Sequence, residues 1–249
     1  MIREPFATGR SWMHAVDPRL RVTGATVYAL IVAVSHDYVA LAVALILSLT
    51  MAMTARLDMR EVFHRLTAPF LFLLLLWAVL PWSYEGTPFF KIGPVVFSKA
   101  GLHFCLQISV KTMSLLIAFM ALLATMTIDT LGHTLSRLRL PDKLVYLLLI
   151  TYRYVFVLEQ EYRRLTRAMK IRSFHPKTNL HSYRTYAYLV GMLFVRASVR
   201  AQRVYSAMIC RGFSGRFISL RVYPHHPRNV CFTVALSFLL ILLIALEWV

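Results

Sequence analysis

The chain has 249 residues, 58% of them hydrophobic and 16% charged, against roughly 45–50% and ~25% in an ordinary soluble domain. That balance excludes a water-soluble globule, a disordered chain and a collagen, and the three cysteines (Cys105, Cys210, Cys231) lack any disulfide-scaffold or metal-type spacing. Lys and Arg number 28 against 11 Asp and Glu, a net charge of +17; in a membrane protein such an excess belongs to cytoplasmic loops and to anionic lipid or an acidic partner, so no nucleic-acid partner is expected.

Residues before Val22 are interrupted by Arg3, Glu4, Arg10, Asp17 and Arg19, so no cleavable signal is expected. From Val22 to Ala55 only His36 and Asp37 break the apolar run. One helix over that stretch would measure ~50 Å, well beyond a hydrocarbon core of ~30 Å. The run therefore predicts two short spans, 22–35 and 39–55, turning at His36-Asp37. A third span is predicted over 66–84, with Pro69 near its first turn and Trp77, Trp82 and Tyr84 approaching the far interface. Residues 85–98 read as an external loop, 101–128 as a fourth span, and 230–246 as a last span closing at Trp248.

Charge sets the expected orientation: Arg3, Arg10, Arg19 and Arg21 precede the first span, and Arg56, Arg60 and Arg65 follow the second. Residues 129–229 hold 18 Lys and Arg but four acids (Asp129, Asp142, Glu159, Glu161), which is +14 of the total +17. A cytoplasmic N-terminus and four spans return this stretch to the cytoplasm, as the positive-inside rule asks. Its two apolar pieces, 144–158 and 185–195, read as parts of helices under or partly within the membrane; a crossing by the first would put Arg163, Arg164, Arg167, Lys170 and Arg172 outside. The expectation is an all-α integral membrane protein with five spans, or six if 144–158 crosses, plus two long cytoplasmic helices. The regions are 1–128, 129–229 and 230–249.

The basic region contains a repeat at an offset of 39 residues. Arg164-Leu165-Thr166-Arg167-Ala168-Met169-Lys170-Ile171-Arg172-Ser173-Phe174 aligns with Arg203-Val204-Tyr205-Ser206-Ala207-Met208-Ile209-Cys210-Arg211-Gly212-Phe213. The shared skeleton is R-x-x-x-A-M-x-x-R-[SG]-F. On a helix, Arg164, Ala168 and Arg172 are successive i, i+4 neighbours, as are Arg203, Ala207 and Arg211. Helix-stop residues follow both copies, so Arg172 and Arg211 fall in the last turn, where the helix dipole favours a cation. Ala permits close approach, Met an adaptable contact, and Phe an anchored exit. A basic amphipathic helix on an anionic membrane needs no protein partner. Lipid attraction, however, requires no fixed register, and here the Arg–Ala–Arg register occurs twice.

These motifs resemble the transmembrane (T) components of energy-coupling factor transporters, the EcfT/CbiQ family. The segment Ser11-Trp12-Met13-His14-Ala15-Val16-Asp17-Pro18-Arg19-Leu20 is similar to the family's S-x-x-H-x-x-D-P-R-x-K/R opening. Ile171-Arg172-Ser173 and Cys210-Arg211-Gly212 stand where the family carries Ala-Arg-Gly at the ends of two coupling helices. Both depart at the first residue, and the first copy replaces Gly with Ser. The run 193–203, Leu-Phe-Val-Arg-Ala-Ser-Val-Arg-Ala-Gln-Arg, looks most like the cobalt and nickel (CbiQ) branch.

The resemblance implies docking of Arg172 and Arg211, flanked by Ala168, Ala207, Met169, Met208, Ser173 and Gly212, in grooves of ABC-type ATPases, with Arg164 and Arg203 in secondary roles. It also implies a CbiM-like substrate-binding S component, a small accessory membrane subunit, and a bacterial inner-membrane location. ATP and Mg²⁺ would sit on the partner ATPase, and this chain would be a non-catalytic subunit holding no cofactor. By the same resemblance the substrate would be cobalt or nickel, the alternative being a vitamin such as biotin.

None of the glycines forms a P-loop, and all 11 acids lie outside or at the ends of the spans, against a self-contained ion-driven carrier. Lys111 is the intramembrane cation, expected either to touch the S component or to bond a neighbouring helix. No metal-ligand spacing occurs; His225-His226 are merely adjacent. The rival class is a membrane enzyme or lipid-binding protein using the Arg stripes as an anion clamp.

Overall fold

The computed structural model describes residues 11–83, 88–92, 95–215 and 227–247. The chain before residue 11, Tyr84, the His225-His226 pair and Trp248 lie outside the described residues. A short 3-10 helix, Trp12–Ala15, precedes α1 (Pro18–Val34), α2 (Tyr38–Ala55) and α3 (Met59–Ser83). A hairpin of β1 (Pro88–Ile92) and β2 (Val95–Ser98) leads into α4 (Lys99–Leu122) and α5 (Ile128–Arg137). Then come α6 (Asp142–Ile171), α7 (Leu180–Cys210) and α8 (Pro227–Glu247). The protein is thus an all-α membrane protein whose strands, among the described residues, are that one hairpin.

Asp17 starts α1: its side chain accepts from the Arg19 N–H at 3.0 Å, and Pro18 occupies the first turn where its missing N–H is harmless. The helix stops at Ser35, so the predicted turn at His36-Asp37 is where the chain reverses. Among the described residues, four helices are long and apolar enough to cross a bilayer: Tyr38–Ala55, Met59–Pro81, Gly101–Leu122 and Arg228–Glu247. With 17 residues, α1 is about 26 Å long, short of a full hydrocarbon core.

Three expectations need correction. The third span begins at Met59 rather than residue 66, so Pro69 is interior to α3 and not in its first turn. Arg60, Glu61, His64 and Arg65 lower the hydropathy before residue 66, yet they belong to the same helix. The fourth span ends at Leu122, not residue 128, because Leu123–Thr127 form a turn and α5 starts afresh. Within the loop expected at 85–98, two β-rich strings pair antiparallel, with Phe90 opposite Phe97 and Ile92 opposite Val95. β-Branched and aromatic residues on both arms supply that pairing tendency.

Two compact units emerge. One holds α1 to α4, most of α5, and α8; the other holds α6 and α7. In the first, α4 packs on α1, α2 and α3, and α8 on α1 and α2. The core gathers Ala25, Tyr28, Val32, Leu41, Ala44, Ala118, Leu122 and Leu240. The alanines among these, Ala25, Ala44 and Ala118, let backbones come close, and in lipid, which is as apolar as leucine, helices gain by such close approach rather than by the hydrophobic effect. A Cβ on Gly24 would stand 2.4 Å from Leu236 Cδ2, which shows how closely α1 and α8 meet. Tyr28 donates to the Ala44 carbonyl at 2.9 Å, satisfying the one buried hydroxyl that this aromatic brings inside.

Candidate functional site

Both copies of the repeat end a helix in the same way. In α6, the Phe174 N–H donates to the Met169 carbonyl (3.1 Å) and the Ser173 N–H to the Lys170 carbonyl (3.0 Å). In α7, the Phe213 N–H donates to Met208 (3.0 Å) and the Gly212 N–H to Ile209 (2.9 Å). These are paired 6→1 and 5→2 bonds, the Schellman arrangement, and they need a left-handed residue after the cap. Ser173 has φ 61° and Gly212 φ 77°. Arg172 and Arg211 are the capping residues themselves. The shared skeleton is therefore partly a helix stop: Met accepts the long bond, Ser or Gly turns the chain, and Phe seals it. That geometry has no requirement for Arg, or for Ala four residues before it, so these positions ask for another explanation.

The Phe side chains anchor each tip to the other helix. Phe174 meets Tyr186 edge-on at 5.8 Å and tilts toward His181 at 6.3 Å, both early in α7. Phe213 stacks on Tyr146, early in α6, at 5.1 Å. The two helices accordingly run antiparallel, and the Arg tips lie at opposite ends of the pair. Thirty and thirty-one residues make each rod about 45 Å long.

At the tips Arg164, Ala168 and Arg172 are exposed, as are Arg203, Ala207, Arg211, Ser173 and Gly212; Met169 and Met208 are half-buried. Each Arg–Ala–Arg stripe thus faces outward along one helix. Met208 looks into a groove of about 430 Å³ between α6 and α7, lined by Tyr146, Tyr154, Leu158, Ala201 and Val204. At the α6 tip a hollow of about 530 Å³ gathers Arg172, His175, Lys177 and His181.

Midway along the rods, Glu161 of α6 accepts from Arg196 of α7, with Arg164 at 3.6 Å on its own helix. The Arg196 hydrogen bond, helped by the charges of Arg196, Arg164 and Arg200, holds the Glu161 carboxyl below the usual carboxylate range against an opposing effect of desolvation. Sequence reasoning counted Glu161 merely as one of four acids in the basic region. Its cross-helix partner lies 35 residues away, and no local spacing announces it.

The opening motif also acquires a structure. Ser11 Oγ lies 2.7 Å from His14 Nδ1, and the Asp17 N–H donates to Asn229 Oδ1 of α8 at 3.1 Å. Arg21 corrects an expectation. Read in sequence as a flanking cytoplasmic charge, it is 2% exposed and donates to the Leu122 carbonyl from Nε (3.1 Å) and Nη2 (2.8 Å), and to Thr125 Oγ1. Its signal was its place as the final basic residue of D-P-R-x-R, one turn inside the first helix. Lys111 donates to the Ala33 carbonyl at 3.0 Å, near the end of α1. Beside it, Glu247 at the end of α8 accepts from Ser35 and from the His36 N–H (2.6 Å), closing the α1–α2 turn. Among the described residues no three His, Cys, Asp or Glu side chains come together in a way that could hold a metal ion.

Several apolar membrane helices, with a pair of long basic helices each ending at a capping arginine, define a multi-pass membrane protein. Residues 9–224 match the family model CbiQ, described as cobalt transport protein. The chain belongs to the CbiQ family and is a transmembrane component of the energy-coupling factor transporter type. It is 27% identical over 234 residues to the energy-coupling factor transporter transmembrane protein EcfT of Listeria innocua, covering 86% of this chain and 85% of that one. Over 90 residues it is 33% identical to the cobalt transport protein CbiQ of Rhodobacter capsulatus, 36% of each chain. Over 84 residues it is 32% identical to the nickel permease LarQ of Lactiplantibacillus plantarum, 34% of this chain and 30% of that one.

Proposed function

We propose that this chain is the non-catalytic coupling subunit of an ATP-driven importer: it carries motion from cytoplasmic ABC-type ATPases to a substrate-binding S component in the membrane. The observation that carries the reading is the pair of identically capped, arginine-bearing tips at opposite ends of α6 and α7. One groove cannot receive both ends of a rod about 45 Å long, so the tips address two grooves, one on each of two ATPase copies. Each tip would enter in the helix-in-groove mode, with Ala168 or Ala207 allowing close approach and Arg172 or Arg211 pairing with acidic groups. Relative movement of the two ATPases then displaces one tip against the other. The driving energy is the difference in tip affinity between the two ATPase states.

In this reading residues 129–229 face the cytoplasm, the N-terminus is cytoplasmic, and the membrane is a bacterial inner membrane, in accord with the charge distribution. The substrate is Co²⁺ or Ni²⁺; the names of two relatives support a metal, and the metal's ligands belong to the S component. ATP and Mg²⁺ reside on the ATPases. Exposed cations such as Arg163, Arg167 and Lys170 add attraction to anionic lipid without setting register.

The test is the double substitution Arg172→Glu with Arg211→Glu. It is expected to abolish co-purification of the ATPases and ATP-driven uptake while the chain still inserts in the membrane. Retention of both properties would falsify docking through the tips.

A further inference from the structure

The membrane unit contains a buried guanidinium that the tip geometry does not use. Arg21 rises from the first turns of α1 and reaches the C-terminal end of α4. There the last carbonyls of a helix lack partners within the helix and must find others. The Phe119 carbonyl accepts from both Leu123 and Ala124 N–H, the Ala121 carbonyl from Thr125 Oγ1 at 2.8 Å, and the Leu123 carbonyl from Met126 N–H. The Leu122 carbonyl is met by two donors of Arg21, and the same guanidinium bonds Thr125 Oγ1. Arg21, Leu122 and Thr125 are all buried, so water has little access to replace these bonds. No carboxylate pairs with Arg21 among the described residues; the negative end of the α4 dipole stands opposite its charge.

The location gives this arrangement its consequence. Leu123–Thr127 is the turn through which the chain leaves α4 for α5 and then α6. Its other side is fixed as well, because α1 starts at the Asp17 cap and Asp17 bonds Asn229 of α8. A turn free to flex would absorb displacement along the chain between α6 and α4. We infer that Arg21 is a positioning residue that latches the α4–α5 turn to α1, so that movement of the coupling helices is passed to the membrane bundle rather than lost in the turn. The inference rests on the coupling reading for its functional part, while the latch itself is a local structural claim.

The experiment uses the full-length chain expressed with its ATPases and S component, as wild type and as Arg21→Met, Arg21→Lys and Thr125→Val. Hydrogen exchange reports the latch, and Co²⁺ or Ni²⁺ taken up per ATP hydrolysed in proteoliposomes reports coupling. Arg21→Met is expected to retain the ATPases, since the tips are untouched. Its amides at 123–127 should exchange at least tenfold faster with those of α2 unchanged, and uptake per ATP should fall at least tenfold. Arg21→Lys, which keeps one charged donor, should recover part of both; Thr125→Val should show a weaker form of both. Unchanged exchange at 123–127, or unchanged uptake per ATP despite faster exchange, overturns the inference. Should Arg21→Met fail to insert, Thr125→Val is judged by the same two criteria. If the tip substitutions leave ATPase binding intact, it is the coupling reading that fails, and exchange at 123–127 still decides the latch.

Discussion

Ser173 and Gly212 occupy the same left-handed position at the ends of α6 and α7, with φ 61° and 77°, yet only the second is the residue that suits it. A Cβ on Gly212 would meet nothing within 4 Å, so the cost of a side chain there is purely one of backbone conformation. Gly212→Ala is therefore expected to destabilise the α7 tip by about 1 kcal/mol. The mirror change, Ser173→Gly, should stabilise the α6 tip by a smaller amount, since glycine also gains freedom in the unfolded chain. Amide exchange at residues 209–213 and 170–174 measures both; equal protection in all variants would contradict the assignment. The arginines beside them were legible in the sequence because they recur in register. The cap itself was legible as a stop signal, whereas the left-handed serine could be seen only once the backbone was drawn.

At the scale of elements, α6 and α7 are joined at their ends by Phe174 and Phe213 and near their middles by Glu161 and Arg196. Because Glu161 is held below its ordinary value, chiefly by the Arg196 hydrogen bond, its contribution is fully present above the unfolded carboxylate value of about 4.3. It is lost as pH falls through the lower folded value. Spin labels at Gln160 and Ser198 in the purified chain should therefore give an unchanged distance distribution from pH 8 to 6 that broadens below about pH 4. Glu161→Gln should broaden it at every pH. A distribution insensitive to both would remove the cross-helix tie. Such ties were invisible beforehand because they join residues 35 apart through tertiary packing. Helix existence was plain from hydrophobic runs, but ends were not: Arg60, Glu61 and Arg65 hid the start of α3, and the uncharged turn at Leu123–Thr127 hid the end of α4. Hydropathy does not mark a turn that carries no charge, and here the Arg21 guanidinium and the Thr125 hydroxyl complete the helix end.

The whole molecule comprises an apolar helical bundle and a pair of basic rods, whose ends we propose to meet separate ATPases. The membrane class, the charge asymmetry and the repeat were all in the sequence, because each is a matter of composition or register. The burial of Arg21 was not, since a basic residue before a span reads as a flanking charge until the neighbouring helix ends are in place. The most direct measurement is thiol labelling of single cysteines at positions 172 and 211, with Cys105, Cys210 and Cys231 replaced. Labelling is compared between intact cells and inside-out vesicles, each with and without the ATPases. Docking of both tips on cytoplasmic ATPases predicts no reaction from the outside of intact cells, reaction in inside-out vesicles, and protection there when the ATPases are bound. Reaction at either position from the cell exterior, or no protection by bound ATPases, would contradict it.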